Sequence, residues 1–317
     1  MPWLRVLISA AALAALLGLL IAWLLVTMAL KRGAERQRVF KAPHNAVGYE
    51  GQMRQDYEDA KAWWEDVPNQ DVFIESHDGL RLHALEAKQP GHRYAVCVHG
   101  YTGQGTNMRY AGRQFYQRGY SLLLPDCRAH GESQGRYITM GWLDRLDLLR
   151  WIERIVLSDL DARIVLYGIS MGAGAVMMTA GESLPKAVTA VVADCGFTSA
   201  YEEFRYQLKA IFGLPAFPIM PIAMALCRLR AGFDLREASA VNQLQKAKAP
   251  VLFIHGETDT FVPAWMLDKN YAACGSYKER LLVPGAGHAQ APHADSQKYW
   301  ETVFGFIERA EQLKPAG

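Results

Sequence analysis

Residues 163–178 read RIVLYGISMGAGAVMM, and this stretch decides the fold predicted for the chain of 317 residues. Its first part, 164–167, is a continuous apolar run of the kind found in buried strands. Gly168 and Gly172 flank Ser170, and the small and apolar residues that follow favour a buried helix. Strand, tight turn and helix in this order place the hydroxyl of Ser170 beyond the carboxyl end of a strand, where functional groups of α/β sheets gather.

The same alternation of strand and helix extends from residue 71 towards the carboxyl terminus. Eight strands are predicted, at 71–76, 80–86, 94–98, 120–125, 163–167, 187–193, 251–255 and 279–283. Helical spacing is predicted at 109–118, at 141–157, from 171 onward and at 294–311. The turn His77-Asp78-Gly79 joins the first two strands as a hairpin. A hairpin followed by repeated β-α units predicts an α/β fold whose sheet is covered by helices on both faces.

The chemistry of the chain is predicted from the residues that follow these strands. The sequence GISMG at 168–172 matches the G-x-S-x-G pattern of a nucleophile elbow. A serine hydroxyl needs an adjacent base, and the base needs an acid that orients it. Asp259 and His288 each follow a predicted strand, in the chain order that this pattern uses, so we predict Ser170 as nucleophile, His288 as general base and Asp259 as acid. Glu257 is the rival acid, since it lies closer to its strand and has a longer side chain.

Acyl transfer also needs N–H groups directed at the oxygen on which negative charge develops. The sequence HGYTG at 99–103 follows the strand at 94–98, and its small residues leave backbone N–H groups free. The N–H groups of Tyr101 and Met171 are the predicted oxyanion pair, while the ring of Tyr101 either faces substrate or packs. Four other histidines are interpreted as structural, hydrogen-bonded residues: His99, His130, His255 and His293.

Composition excludes several classes of protein. The formal net charge is +2, without the basic field that a nucleic-acid partner requires. The cysteines lack the spacing of a metal site and are interpreted as small buried residues: Cys97, Cys127, Cys195, Cys227 and Cys274. No metal and no organic cofactor is predicted.

The amino terminus is strongly apolar, because residues 6–30 contain no charged side chain. About 20 apolar residues suffice for a helix to cross a bilayer, whereas a secretory signal has a core of only about 7–15. We therefore predict a transmembrane anchor at 1–32 that makes this a single-pass membrane protein, and a juxtamembrane linker at 33–70. The basic residues after the span favour a cytoplasmic catalytic domain: Lys31, Arg32, Arg36, Arg38 and Lys41.

One segment interrupts the alternation within the predicted catalytic domain at 71–317. Residues 198–249 show no strand pattern and are too long for a plain loop. They are predicted to form a helical cap over the site, with ordinary surface helices as the alternative. Because residues 214–229 are largely apolar, the cap favours a substrate with an apolar acyl group.

Five motifs carry a family resemblance: HGYTG at 99–103, DCRAHGES at 126–133, GISMG at 168–172, GETD at 256–259 and GH at 287–288. On these motifs the chain resembles, over residues 70–312, bacterial α/β-hydrolases of the serine esterase, thioesterase and prolyl-oligopeptidase-like superfamily, specifically small membrane-anchored members. The resemblance implies the α/β-hydrolase fold, with a mostly parallel sheet of about eight strands in which the second is antiparallel. It also implies that Asp126, Arg128 and His130 brace the site.

The predicted reaction is hydrolysis of a small-molecule carboxylic ester or thioester through an acyl-enzyme intermediate. A peptidase or amidase, or an acyltransferase, would use the same three side chains. The alternative outside enzymes is a catalytically silent, membrane-tethered binding protein. The prolyl-oligopeptidase enzymes carry a propeller domain, and nothing in this sequence would build one, which disfavours a gated peptidase.

Overall fold

A single sheet of eight strands forms the centre of the computed structural model, which describes residues 2–33 and 51–313. The strands are β1 Gln70–Glu75, β2 Arg81–Ala87, β3 Arg93–Val98, β4 Ser121–Pro125, β5 Arg163–Ile169, β6 Val188–Asp194, β7 Val251–Gly256 and β8 Lys278–Val283. Each predicted strand overlaps one of these.

The order of strands in the sheet is β1-β2-β4-β3-β5-β6-β7-β8. The pairs β1–β2 and β2–β4 are antiparallel, and all other pairs are parallel. The prediction of a mostly parallel, eight-stranded sheet flanked by helices is confirmed. Because β3 to β8 run in one direction, the loops that follow them meet at one edge of the sheet.

Helices cover both faces of this sheet. They are α1 Pro2–Leu30, α2 Gln52–Asp66, α3 Arg109–Tyr116, α4 Asp144–Ser158, α5 Met171–Ala180, α6 Ala200–Phe212, α7 Ala216–Ala231, α8 Ala240–Leu244, α9 Trp265–Ala273, α10 Ala291–Ala294 and α11 Ser296–Gln312. A short 3₁₀ helix, Gly105–Met108, precedes α3. Residues 198–249, predicted as a cap, contain α6, α7 and α8 in place of a single crossover helix.

The central strand β5 explains why the apolar runs are continuous rather than alternating. Ile164 and Leu166 enter the core beneath α4 and α5, whereas Val165 and Tyr167 enter the core beneath α3 and α11. All four side chains are completely buried. A parallel strand with helices on both faces has no solvent side, so its sequence carries no polar alternation.

The carboxyl-terminal half of α1 packs against α7. Ala22, Val26 and Leu30 are 0%, 4% and 1% exposed and belong to the core on that face. At Gly18, a methyl group would come within ordinary contact distance of side chains on α7. Arg230 of α7 donates a hydrogen bond from Nη1 to Oγ1 of Thr27 at 2.8 Å. This half of α1 is therefore part of the domain, whereas described side chains nearer its amino terminus, such as Val6 and Leu13, are exposed.

The prediction of a transmembrane anchor at 1–32, and with it of a single-pass membrane protein held by this helix, is wrong. Across residues 2–33 and 51–313, no helix is long and apolar enough to cross a membrane. The physical reason for the error is that an apolar helix surface is typical both of lipid contact and of burial against protein. The orientation predicted from the basic residues loses its basis as well. Residues 34–50 of the predicted linker, with Arg36, Arg38 and Lys41, lie outside the described residues.

Candidate active site

Ser170 lies in a strained turn between β5 and α5. Its φ is 57° and its ψ is −116°, a backbone conformation that non-glycine residues rarely adopt. The turn is held by a hydrogen bond from the N–H of Ser170 to the carbonyl of Asp194 at 2.8 Å. A Cβ on Gly172 would collide with the carbonyl oxygen of Val98, so only glycine permits this approach. The strain, about 1–3 kcal/mol for such a residue, persists because the neighbouring strands fix the turn.

Three side chains from separate loops meet at this turn. Nε2 of His288 lies 2.8 Å from Oγ of Ser170, and Nδ1 of His288 lies 2.8 Å from Oδ2 of Asp259. Asp259 follows β7 and His288 follows β8, so the parallel register of the two strands brings them together. Of the predicted residues, the structure thus joins Ser170, His288 and Asp259 in one chain of hydrogen bonds.

Asp259 is held in a fixed orientation as an anion. Its Oδ1 accepts hydrogen bonds from the N–H groups of Phe261 and Val262, both at 2.9 Å. Burial by itself would raise the pKa of Asp259, but the charge of His288 and hydrogen bonds from His255 and His288 outweigh it and lower the pKa to about 2. The carboxylate is therefore ionised across the neutral range and stabilises a positive charge on His288.

His255 is a partner of Asp259 that the sequence analysis did not assign to the site. Its Nε2 donates to the carbonyl of Val262 at 2.8 Å and lies 3.3 Å from Oδ2 of Asp259. Burial lowers the pKa of His255, but the hydrogen bond and charge of Asp259 raise it more. Its position at the end of β7, four residues before Asp259, is the only signal in the sequence for this contact.

The rival acid Glu257 lies elsewhere. Its side chain is exposed, and Oε2 accepts a hydrogen bond from the N–H of Gly285 at 3.3 Å. The structure therefore brings Asp259, rather than Glu257, to His288.

The predicted oxyanion residues flank Ser170 from two sides. Tyr101 and Met171 both line the cavity into which Ser170 opens. Met171 is the first residue of α5, so its N–H is among those that have no acceptor within the helix. At Gly100, an added Cβ would lie only 3.3 Å from Cβ of Ser170, which shows how closely this loop approaches the serine. The hydroxyl of Tyr101 donates to the carbonyl of Ala29, at the end of α1.

His99 supports the loop as a neutral side chain. Its Nε2 accepts the N–H of Cys127 at 3.0 Å, so Nδ1 carries the proton and donates to the carbonyl of Gly100 at 2.8 Å. Burial lowers the pKa of His99, which keeps the ring neutral.

Asp126, Arg128 and His130 are the residues that the resemblance implies to brace the site. They lie in the loop at 126–133, which is bonded to the hairpin β1–β2. Asp126 accepts the N–H of Gly105 at 2.6 Å and lies 2.7 Å from Nδ1 of His83. Arg128 pairs through Nη2 with Asp147 at 2.6 Å. Nδ1 of His130 donates to the carbonyl of Arg128 at 3.0 Å.

The cavity at Ser170 has an empty volume of about 350 Å³, which includes space open to solvent. Its lining is apolar or aromatic apart from Ser170, the Tyr101 hydroxyl and a single carboxyl group on α6, that of Glu203. Phe261 places its ring 4.8 Å from that of His288. A larger cavity of about 610 Å³ lies between α1, α6 and α7 and shares Phe204 with the first. Neither Glu203 nor Phe204 was predicted, because nothing in the sequence indicates which face of α6 meets the serine.

Three clusters among the described residues have donor atoms close enough to share a metal ion. The first contains Cys195, Asp259 and His288, and the last two are already hydrogen-bonded to each other. Burial raises the pKa of Cys195 well above its ordinary value, so its thiol stays protonated and is a poor ligand. The other two clusters are His77, Asp78 and Asp147, and His92, Asp159 and Asp161. In these, the carboxylates of Asp78 and Asp159 are paired with Arg128 and His92.

Comparison with known sequences finds relatives over most of the chain. The chain is 28% identical over 214 residues to an uncharacterized protein of Bacillus subtilis, YqkD, with 67% of this chain and 70% of the relative covered. It is 27% identical over 251 residues to an uncharacterized protein of Mycobacterium tuberculosis, Rv2307c, covering 77% of this chain and 80% of the relative.

Solved structures share the fold at lower identity. The esterase Pf2001 of Pyrococcus furiosus matches with a TM-score of 0.63 and 23% identity, over 83% of this chain and 97% of that one. The acylaminoacyl peptidase of Pyrococcus horikoshii matches with a TM-score of 0.57 and 18% identity, over 81% of this chain and 44% of that one. Residues 95–301 match the sequence model described as the alpha/beta hydrolase family. This chain therefore belongs to the alpha/beta hydrolase family.

Proposed function

We propose that this protein is a serine hydrolase that cleaves a carboxylic ester or thioester through an acyl-enzyme on Ser170. The observation that carries the proposal is the unbroken chain of two 2.8 Å hydrogen bonds from Oγ of Ser170 through His288 to Asp259. Nucleophile, base and orienting acid at hydrogen-bond distance are the geometric signature of this chemistry.

The reaction divides into two steps. As Oγ of Ser170 attacks the carbonyl carbon, Nε2 of His288 takes the hydroxyl proton and then gives it to the departing alcohol or thiol. Water next attacks the acyl-enzyme and gives a proton to His288. His288 returns this proton to Oγ of Ser170 as the carboxylic acid product leaves. Asp259 remains ionised throughout and accepts the hydrogen bond from Nδ1 of His288.

The N–H groups of Tyr101 and Met171 are the proposed donors to the oxyanion. Two facts support this assignment: the position of Met171 at the amino end of α5, and the close approach of Gly100 to Ser170. Donors fixed in the backbone need no rearrangement as charge develops on the carbonyl oxygen. The positive end of the α5 dipole adds to this stabilisation.

The apolar lining of the cavity at Ser170 supports a substrate with an apolar acyl group. Amide hydrolysis, or transfer of the acyl group to an alcohol, would use the same three side chains. A catalytically silent binding protein would retain the fold without using them.

The decisive experiment is labelling with a fluorophosphonate probe, followed by identification of the modified peptide. The wild type should carry the label on Ser170, and Ser170→Ala should remain unlabelled. Hydrolysis of matched p-nitrophenyl esters, thioesters and anilides then separates esterase from amidase activity, and added alcohols test for transfer. Equal labelling of the two proteins would refute the assignment of Ser170, and absence of both labelling and turnover would favour a silent binding protein.

A further inference from the structure

The cavity between α1, α6 and α7 is unusually uniform in its chemistry. Its empty volume is about 610 Å³, which includes space open to solvent. Among the described side chains that line it, only that of Gln207 is polar. Val26 and Ala29 form the wall from α1, and Met220 and Ala223 form the facing wall from α7.

This cavity adjoins the reacting serine. Phe204 of α6 lines both the cavity at Ser170 and the larger one. Phe204 is only partly buried, so its ring is not locked by core packing on every side. A chain attached to the acyl carbon at Ser170 would have to pass Phe204 to reach the larger cavity.

The end of α1 is also hydrogen-bonded to the loop at 99–103, which contains Tyr101. The hydroxyl of Tyr101 donates to the carbonyl of Ala29, and Ala29 itself lines the larger cavity. The helix wall and the loop beside Ser170 are therefore connected by a direct hydrogen bond.

We propose that this cavity is the acyl-chain subsite, and that the substrates are esters or thioesters of medium- to long-chain fatty acids. The inference rests on the proposed function and specifies the substrate class of that site. A hydrocarbon chain fits because it asks for no hydrogen bonds, whereas a polar group would be left without partners against this lining. Each methylene that enters the cavity should raise kcat/KM by about two- to fourfold.

The test compares two alanines of α7, one that faces the cavity and one that faces solvent. Ala223 lines the cavity, whereas Ala225 is exposed two residues further along. The full chain is assayed with p-nitrophenyl acetate, butyrate and octanoate as wild type, Ala223→Trp and Ala225→Trp. We expect wild-type kcat/KM to rise at least tenfold from acetate to octanoate. Ala223→Trp should remove that rise from acetate to octanoate, and Ala225→Trp should behave as the wild type.

A second variant approaches the cavity from the opposite wall. Ala29→Leu adds only a small volume from α1 and should lower octanoate hydrolysis selectively even if Ala223→Trp does not fold. A flat wild-type profile, or equal losses for acetate and octanoate in Ala29→Leu, would overturn the inference. Failure of the wild type to hydrolyse any ester or bind the fluorophosphonate would instead overturn the proposed function itself.

Discussion

The two cavities that meet at Phe204 are held together by different forces. At Ser170 the geometry depends on hydrogen bonds, including those from the backbone N–H groups of Phe261 and Val262 to Asp259. Between α1 and α7 it depends chiefly on packing of apolar side chains such as Val26. Substitutions in the first region should therefore change reactivity, and substitutions in the second should change stability and the volume open to substrate.

The largest effect is expected where the hydrogen-bonded region is broken at its acid. Asp259→Asn should lower kcat by about 10³–10⁴, because an amide donor next to Nδ1 favours the wrong tautomer of His288. Glu257→Gln is the matched control, since Glu257 is exposed and bonded to Gly285, and it should change kcat less than about twofold. Steady-state hydrolysis of a p-nitrophenyl ester measures both. The reverse ranking would assign the acid to Glu257.

The contact between α1 and α7 should be destabilised most strongly by a charged side chain within it. Val26→Asp should lower the free energy of unfolding by about 3–5 kcal/mol, because it buries an unpaired carboxylate. Val6→Asp is the matched control on the same helix, since Val6 is 66% exposed and Val26 is 4% exposed. The control should stay within about 0.5 kcal/mol of the wild type. Equal urea midpoints for the two variants would mean that α1 contributes no packing to the domain.

The same contrast explains what the sequence predicted. Strands such as β5 and β7 follow from continuous apolar runs, and the loops after them must share one sheet edge, so the proximity of Ser170, Asp259 and His288 follows from chain order. The larger cavity is lined by Val26 of α1 and by residues of α7 such as Met220. These residues are far apart in the chain, and no local sequence pattern predicts that they meet. The error about α1 has the same origin, because the sequence of an apolar helix does not show whether lipid or protein covers it.

Glu203 lines the cavity at Ser170 beside Phe204. Its replacement is expected to have the next largest effect on stability. Its Oε1 accepts Nε2 of Gln207 at 2.8 Å, while Oε2 is buried without a hydrogen-bond partner in the described part of the chain. Burial raises the pKa of Glu203 from 4.5 to about 8, with the charge of Asp259 adding to the rise and the bond from Gln207 opposing it.

The sign of the pH dependence follows from this raised pKa. The unfolded chain loses the proton of Glu203 near pH 4.5, whereas the folded protein keeps it until about pH 8. Stability from the neutral carboxyl is thus complete below pH 4.5 and declines as the pH rises towards 8. Glu203→Gln should stabilise the protein by about 1–3 kcal/mol at pH 8 and hardly at all at pH 4.

Urea unfolding at pH 4, 6 and 8 measures this difference, with Glu202→Gln as the neighbouring control. The pKa of Glu202 is lowered, because hydrogen bonds from Thr198 and Lys269 outweigh its burial. Its replacement should therefore destabilise slightly at pH 8, opposite in sign to Glu203→Gln. Parallel pH profiles for the two variants would contradict the neutral state of Glu203.

The smallest effect is expected at the hydrogen bond that joins the two regions. Tyr101→Phe removes the donor to the carbonyl of Ala29, one of the last carbonyls of α1, which lack N–H donors within the helix. The loss should cost about 0.5–1.5 kcal/mol of stability. Because the N–H of residue 101 is retained, acetate hydrolysis should fall less than tenfold, while octanoate hydrolysis falls further as the α1 wall loosens. Tyr206→Phe removes a donor to the carbonyl of Thr260, away from α1. It should lower hydrolysis of the acetate and octanoate esters by the same factor. A fall of Tyr101→Phe to the activity of Ser170→Ala would instead assign its hydroxyl a direct part in the reaction.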